Sequence, residues 1–186
     1  MVAATRALLA EGVTSPTVEQ AADRAQVSRT TAYRYFANQH ALLLATYPVL
    51  EAKSLLGEDA PDDPLARLDL VTASVCRQLV EYEPEQRTML RLSLEAPRDR
   101  PPDLVLRQGR VIGWIEDALA PLRPRLSVVE VRRIAIAIRA TMGIESLVWL
   151  TDVARVPQKE ALATMRRSAR AILRCALADA GITNLR

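Results

Sequence analysis

A short stretch of the sequence, QVSRTTAYRYF at residues 26–36, concentrates side chains that contact nucleic acids. It holds two arginines, two threonines and three aromatic rings, and Phe36 is the only phenylalanine of the chain. Arginine can donate two hydrogen bonds to one guanine, and hydroxyl groups can donate to phosphate oxygens. The stretch could therefore read DNA, provided that a helix presents these side chains to the duplex.

Local sequence rules predict the helices that position this stretch. Thr17 and Gln20 fit a capping box, so a short helix is expected from about Val18 to Arg24, with small and apolar residues on its inner face. That face consists of Val18, Ala21, Ala22 and Ala25. Ser28 is a natural N-cap for a next helix over 29–36. Two short helices joined by a tight turn predict a helix-turn-helix.

The predicted second helix has two different faces. Ala32 and Phe36 are four residues apart and are expected in the core, with Tyr35 at its edge. An aromatic-rich helix could also be simply buried, but burying its arginines would be costly. We therefore expect the polar side chains to project outward near the start of the helix, where recognition helices contact bases. These side chains are Arg29, Thr30, Thr31, Tyr33 and Arg34.

The segment TVEQAADRAQVSRTTAYRYFANQHALL, residues 17–43, resembles the DNA-binding segment of the tetracycline-repressor (TetR) family of bacterial transcription regulators. The resemblance runs from about Ala3 to Leu44, while the rest of the chain is similar only in length and helical texture. It implies an all-α fold in which a three-helix DNA-binding domain, 1–46, precedes a ligand-binding and dimerisation domain, 47–186. It also implies a homodimer that binds palindromic double-stranded DNA and releases it when a small-molecule effector binds.

The resemblance assigns roles to individual residues. Arg29 and Thr30 match base-reading positions, Thr31 and Tyr33 match positions that contact phosphate or base, and Arg34 matches a backbone-contacting position. Thr17 matches the cap that meets a phosphate.

Two positions depart from the family pattern. Gln39 stands at a DNA-contacting position where a phosphate-binding lysine is usual. Gln26 replaces the common turn glycine, which would strain a left-handed backbone there. Because acidic residues nearly match the arginines of this segment, modest DNA affinity and a shallow salt dependence are expected.

The remaining sequence predicts helices throughout. Acidic, proline-containing or otherwise loop-like stretches occur at 57–64, 96–103, 120–127 and 154–157. Helices are expected between them, near 65–83, 84–95, 103–120, 127–153 and 157–180. A further helix is expected over about 38–56, and Pro48 would kink it.

The C-terminal part of the sequence predicts a dimer interface. From Ile134 the helix at 127–153 is apolar on nearly every face, and the last helix carries a stripe of apolar and small residues. Two such helices from each subunit would form a four-helix interface, although a purely intramolecular bundle is an alternative. The predicted interface residues are Ile136, Leu147, Leu162, Met165, Ala169, Ile172, Leu173 and Ala176.

A ligand pocket is expected between the helices of 65–119 and the helix at 127–153. Met and Trp side chains adapt to mixed apolar shapes. The candidate lining residues are Cys76, Leu79, Met89, Leu92, Leu106, Trp114, Ile138, Met142, Glu145 and Trp149. Glu145 could hold a ligand, but a structural pair with Arg139 is an alternative reading.

Composition narrows the function further. The chain has 186 residues and a net charge of +3, and its apolar stretches are interrupted by charges, so neither a signal peptide nor a membrane span is expected. Cys76 and Cys175 are expected as free thiols in a reducing cytoplasm.

We find no nucleophile–base pair and no metal or cofactor motif in the sequence. We therefore predict a cytoplasmic, ligand-responsive regulator, and a repressor rather than an activator. We expect no catalytic residues, metal or cofactor. A helical enzyme and a helical scaffold or sensor that has lost specific DNA binding are the alternatives.

Overall fold

A computed structural model describes residues 1–46, 52–95 and 109–182. Every regular element in these residues is helical, which confirms the all-α prediction. The helices are α1 (Val2–Ala10), α2 (Val18–Arg24), α3 (Arg29–Tyr35), α4 (Gln39–Ala45), α5 (Pro64–Glu81), α6 (Glu83–Glu95), α7 (Arg110–Ala118), α8 (Val128–Ala140), α9 (Ile144–Val148) and α10 (Gln158–Asp179). A 3₁₀ turn, Ala120–Leu122, follows α7, and a π-helical turn, Trp149–Val153, continues α9.

The chain forms two compact units. The first contains Met1–Glu51 and Tyr82–Gln108, and the second contains Ala52–Glu81 and Gly109–Arg186. The predicted functional boundary after residue 46 stays a prediction. The first compact unit is larger than that segment, because α6 belongs to it.

In the first unit, side-chain caps begin α2 and α3. The Thr17 hydroxyl accepts a hydrogen bond from the Gln20 amide at 3.2 Å, and the Gln20 side chain accepts one from the Thr17 amide at 2.9 Å. Ser28 accepts a hydrogen bond from the Thr31 amide at 3.2 Å. These caps satisfy amide groups that helix starts leave unpaired, so both helices begin where the sequence predicts.

A small apolar core joins α2, α3 and α4. Its residues, all fully or nearly fully buried, are Val18, Ala21, Ala22, Ala32 and Leu42, with Phe36 packed against them. The alanines allow α2 and α3 to cross closely, as the sequence predicts. This crossing defines which side of α3 remains outside.

Helix α6 packs on the same unit. Leu9, Leu43 and Met89 form a second buried cluster, with Leu92 against it. The Thr88 hydroxyl donates a hydrogen bond of 2.9 Å to the Thr14 carbonyl, in the segment before α2. The first unit therefore includes a helix that lies beyond the segment resembling TetR proteins.

In the second unit, α10 packs against α5 and α8, and α7 packs against α8. The inner row of α10 is fully or almost fully buried and consists of Ala161, Met165, Ala169, Leu173 and Leu177. Leu147 of α9 is also fully buried. This corrects the assignment of Leu147, Met165, Ala169 and Leu173 to a dimer interface, because their side chains already face helices of their own chain.

The predicted helix over 127–153 is interrupted. Thr141 ends α8, and Gly143 has a φ of 137° before α9 begins. The Arg139 guanidinium donates to the Met142 carbonyl and lies 3.3 Å from the Glu145 carboxylate. The break thus brings Arg139 and Glu145 together, in the pairing that was one of two predicted roles for Glu145.

Among the described residues, the run Val128–Val153 satisfies the length and hydropathy of a membrane span by composition alone. Its side chains Val131, Ala135 and Ile138 are buried within the second unit. The core helix of a soluble protein satisfies the same criteria, so this run is weak support for a membrane span.

The region after α4 also differs from the sequence prediction. Residues 52–63 form turns and extended chain rather than the end of a helix over 38–56. A side-chain hydrogen bond from the Ala66 amide to Asp63 starts α5 instead. The predicted kink at Pro48 and the predicted helical residues 103–108 lie outside the described residues.

The break at Gly143 predicts a stability effect. A φ of 137° is open to glycine but strained for other residues, and an alanine Cβ there would lie 2.7 Å from the Glu145 carboxylate. We expect Gly143→Ala to lower the free energy of unfolding by about 1–3 kcal/mol in urea denaturation. Gly113→Ala is the control, because Gly113 is an exposed α7 residue with open space at its Cβ, and alanine there should stabilise by up to about 1 kcal/mol. Equal effects of both substitutions would contradict a strained break.

Candidate nucleic-acid interface

The outer surface of α3 carries the side chains that the sequence assigns to DNA contact. Arg29, Thr30 and Arg34 are exposed, Thr31 is half-buried, and Tyr33 is 44% exposed. Ala32 on the opposite side has no exposed surface. The structure therefore brings all five predicted α3 residues to one helix that can approach a duplex.

Acidic residues of α2 lie beside two of these side chains. The Tyr33 hydroxyl donates a hydrogen bond to the Glu19 carboxylate, and the Arg29 guanidinium lies 3.8 Å from the Asp23 carboxylate. The first contact lowers the pKa of Glu19 and raises the pKa of Tyr33, because it favours the ionised carboxylate and the neutral phenol. The sequence shows these acids as nearby charges but does not predict that they pair with α3.

The end of α3 corrects the position of Tyr35. This side chain is 68% exposed, whereas the sequence predicts a position at the edge of the core. Instead, the Arg34 guanidinium lies 5.2 Å from the centre of the Tyr35 ring, a cation–π contact. Tyr35 therefore belongs to the exposed surface with Arg34.

Gln39 of α4 holds the segment that leads into α2. Its side-chain amide donates hydrogen bonds of 2.8 Å to the Ser15 hydroxyl and 2.9 Å to the Pro16 carbonyl. Pro16 precedes Thr17, the exposed N-cap of α2. Gln39 thus holds the segment that leads into the N-cap of α2. The N–H donors that make these bonds are then engaged within the chain rather than offered to a phosphate.

The turn between α2 and α3 has the expected strain. Gln26 has a φ of 54°, in the left-handed region that glycine adopts most easily. The amide of Val27 nevertheless donates a hydrogen bond of 2.9 Å to the Ala22 carbonyl and so closes the turn.

The predicted pocket residues do not form one set. Met89 and Leu92 pack in the first unit, against Leu9 and Leu43, because α6 belongs to that unit. Leu106 lies outside the described residues. The predicted residues of the second unit are Cys76, Leu79, Trp114, Ile138, Met142, Glu145 and Trp149.

The predicted pocket residues of the second unit divide again by exposure. Cys76, Leu79, Trp114, Ile138 and Met142 are buried, and the Trp114 indole donates a hydrogen bond of 2.9 Å to the Ala52 carbonyl. Burial raises the pKa of the Cys76 thiol to about 11, so this thiol is protonated at neutral pH. Trp149, by contrast, is 59% exposed.

Trp149 lines an open groove of about 440 Å³ beside α10. The groove also contains the Glu145 carboxylate and several hydroxyl groups. Its lining residues are Thr141, Glu145, Ser146, Trp149, Leu150, Thr164, Met165 and Ser168.

Four predicted interface residues retain exposed surface. Ile136 is 47% exposed, and Leu162, Ile172 and Ala176 are half-buried. Val153, which is 66% exposed, lies with Trp149 in the π-helical turn after α9 and was not predicted. The apolar composition of the run Val128–Val153 is the sequence signal that could have identified Val153.

The described residues contain no group of His, Cys, Asp and Glu side chains that could hold a metal ion. Helices α2 and α3 of the first unit form a helix-turn-helix, a motif that is typical of DNA-binding regulators. Residues 1–46 match the family model for bacterial regulatory proteins of the tetR family. The N-terminal segment is therefore similar to the DNA-binding domain of TetR-family transcription regulators.

A solved structure of a SmeT–triclosan complex has the same fold. It is 20% identical in sequence, with a TM-score of 0.56, and the alignment covers 96% of this chain and 88% of that chain. The comparison with curated proteins gave no significant match.

Proposed function

We propose that the chain is a ligand-responsive regulator that binds palindromic operator DNA as a homodimer and releases it when a small-molecule effector binds. Each subunit places α3 in the major groove of one half-site, with its N-cap and first turn toward the bases. The exposed row on α3 carries this proposal, because arginine, threonine and tyrosine lie opposite a fully buried alanine. We also propose a cytoplasmic setting, which the similarity of residues 1–46 to TetR regulators supports.

The polar side chains of α3 contact different parts of the duplex in this proposal. Arg29 lies in the first turn, where side chains of recognition helices reach base edges. Arg34 lies in the last turn and supplies a charge for the phosphate backbone. Thr17 at the start of α2 presents its helix N-terminus to a phosphate, while Gln39 holds that terminus in place.

Two features support a homodimer. The run Val128–Val153 exposes five large apolar side chains, while its other large apolar side chains are buried or half-buried: the exposed ones are Val128, Val129, Ile136, Trp149 and Val153. Exposed apolar surface of this kind is typical of protein–protein contacts. Pairing α8, α9 and α10 of two subunits would cover it, and a palindrome requires a two-fold related pair of recognition helices.

An apolar or amphipathic effector fits the second unit. The SmeT protein of the similar structure binds triclosan, a small molecule. The second unit buries the side chains of Cys76, Leu79, Trp114, Ile138 and Met142, which are apolar and adaptable enough for such a ligand. An effector that prefers a conformation other than the DNA-binding one shifts the population away from DNA binding. DNA must then weaken the binding of the effector by the same factor.

DNA binding is tested by selecting bound sequences from a random pool and measuring affinity by fluorescence anisotropy. Arg29→Ala should weaken the selected operator by about 1–3 kcal/mol per half-site, because a base contact is lost. Arg24→Ala is the control, since Arg24 lies on α2 and pairs with Glu11 at 2.6 Å. It should change affinity for all sequences alike. An Arg29→Ala protein that binds the operator as tightly as the wild type would show that Arg29 reads no base, and a wild type that selects no sequence would favour the scaffold alternative.

The dimer is tested by charging its exposed apolar surface. Ile136→Glu would place a carboxylate in an apolar contact, so we expect monomers in size-exclusion chromatography with light scattering. Val80→Glu is the matched control, because Val80 is an apolar α5 residue that is 42% exposed and lies outside the proposed interface. A folded, dimeric Ile136→Glu protein would place the interface elsewhere.

The effector site is tested with triclosan as a probe and the two tryptophans as reporters. Trp149→Phe leaves the buried Trp114 as the reporter, and Trp114→Phe leaves Trp149 as the reporter of the groove. We expect triclosan to change the fluorescence of Trp114 and to lower operator affinity from severalfold to about a hundredfold. A signal confined to Trp149 would place the ligand in the groove, and binding without any change in operator affinity would contradict the proposed switch.

A further inference from the structure

The hydrogen bond between Tyr33 and Glu19 joins the recognition helix to the first turn of α2. The Tyr33 hydroxyl is the donor and a Glu19 carboxylate oxygen is the acceptor. Glu19 is the acidic residue in the first turn of α2, and Tyr33 lies on the exposed side of α3. Both groups therefore lie on the surface proposed to meet DNA.

This contact decides what Tyr33 can offer to DNA. A phenol has one O–H donor, and the donor is committed to Glu19. The tyrosine oxygen and the ionised carboxylate then present only acceptors to an incoming group. A phosphate oxygen is itself an acceptor and carries a negative charge, so at this point it would meet no donor and would be repelled by Glu19.

Base edges in the major groove offer the complementary chemistry. Adenine presents the N6 amino group and cytosine the N4 amino group, which are donors, and carboxylates accept from cytosine N4. Guanine and thymine present the acceptors O6 and O4. A pair of acceptors on the protein therefore favours an amino-bearing base at this position of the half-site.

We infer that Tyr33 and Glu19 act together as a specificity determinant that accepts a hydrogen bond from the exocyclic amino group of adenine or cytosine, rather than Tyr33 donating to a phosphate. The inference rests on the proposed DNA-binding function. It resolves the alternative that the sequence leaves open for Tyr33, a phosphate or a base contact.

The electrostatics of the pair agree with this assignment. The hydrogen bond from Tyr33 lowers the pKa of Glu19, which keeps the carboxylate ionised at neutral pH. The same bond raises the pKa of Tyr33, which keeps the phenol proton in place. The positive charge of Arg29 acts on both groups and limits the repulsion that Glu19 exerts on the duplex.

Selection of bound DNA from a random pool, followed by affinity measurements, tests the inference with the full chain and three variants. Tyr33→Phe removes the hydroxyl oxygen. Glu19→Gln keeps the shape but presents a donor as well as an acceptor. Glu11→Gln is the matched control, because it removes the same charge from the first unit where Glu11 contacts Arg24, away from α3.

For the wild type we expect a restriction at one base pair of each half-site that depends on the amino group of its adenine or cytosine. Tyr33→Phe and Glu19→Gln should lose this restriction, whereas Glu11→Gln should keep it. Replacing the selected base by purine or 2-pyrimidinone, which lack only the amino group, should weaken wild-type binding about two- to tenfold per half-site. The matching analogue identifies which of the two bases supplies the group, and Tyr33→Phe should not distinguish the analogue from the natural base.

Two results would overturn the inference. If Tyr33→Phe weakens all sequences equally and leaves every base preference intact, Tyr33 contacts the phosphate backbone. If the wild type binds the amino-lacking analogues as tightly as the natural bases at every position, the pair reads no amino group, although DNA binding itself stands. A wild type that enriches no sequence would overturn both this inference and the proposed function.

Discussion

The close crossing of α2 and α3 is the constraint on which the DNA-binding surface depends. Ala21, Ala22 and Ala32 are fully buried at this crossing, and each contributes only a methyl group. A larger side chain at any of them would push α3 away from α2, because packed interiors have little free volume. The crossing fixes which side of α3 faces solvent and brings the acids of α2 close to its polar residues.

This geometry makes the interface electrostatically balanced. Glu19 and Asp23 offset much of the charge that Arg29 brings to α3, and Glu11 pairs with Arg24. We propose that phosphate attraction is then weak and that recognition relies on hydrogen bonds to bases. The acids of α2 would thus lower the general affinity for DNA and raise the selectivity for one sequence.

The elements that depend on neighbouring residues could be predicted from the sequence. Three helix caps have partners only three residues away, so their pattern is visible within one turn of the sequence. They are Thr17 with Gln20, Ser28 with Thr31, and Ser127 with Glu130. The left-handed conformation at Gln26 follows from its place in the turn. The same rules predict the outward direction of Arg29 and Arg34.

Contacts between distant segments could not be predicted in this way. Met89 and Leu92 are apolar in either a pocket or a core, and only the packing of α6 on the first unit distinguishes the two. Met165 and Leu173 form a stripe that a partner or the same chain could cover, and α5 and α8 of the same chain cover it. At the break near Gly143 the guanidinium of Arg139 donates to the Met142 carbonyl, a contact that the apolar periodicity of the helix does not indicate.

The salt dependence of operator binding tests most directly whether recognition rests on bases rather than on phosphates. The operator selected from a random pool would be titrated with the full chain across a range of salt concentrations. With one or two phosphate contacts for each subunit, log K should fall against log salt with a slope of about −2 to −4, and preference over random DNA should persist at high salt. A slope of about −8 or steeper, with that preference lost as salt rises, would show that phosphate contacts dominate and would contradict the account.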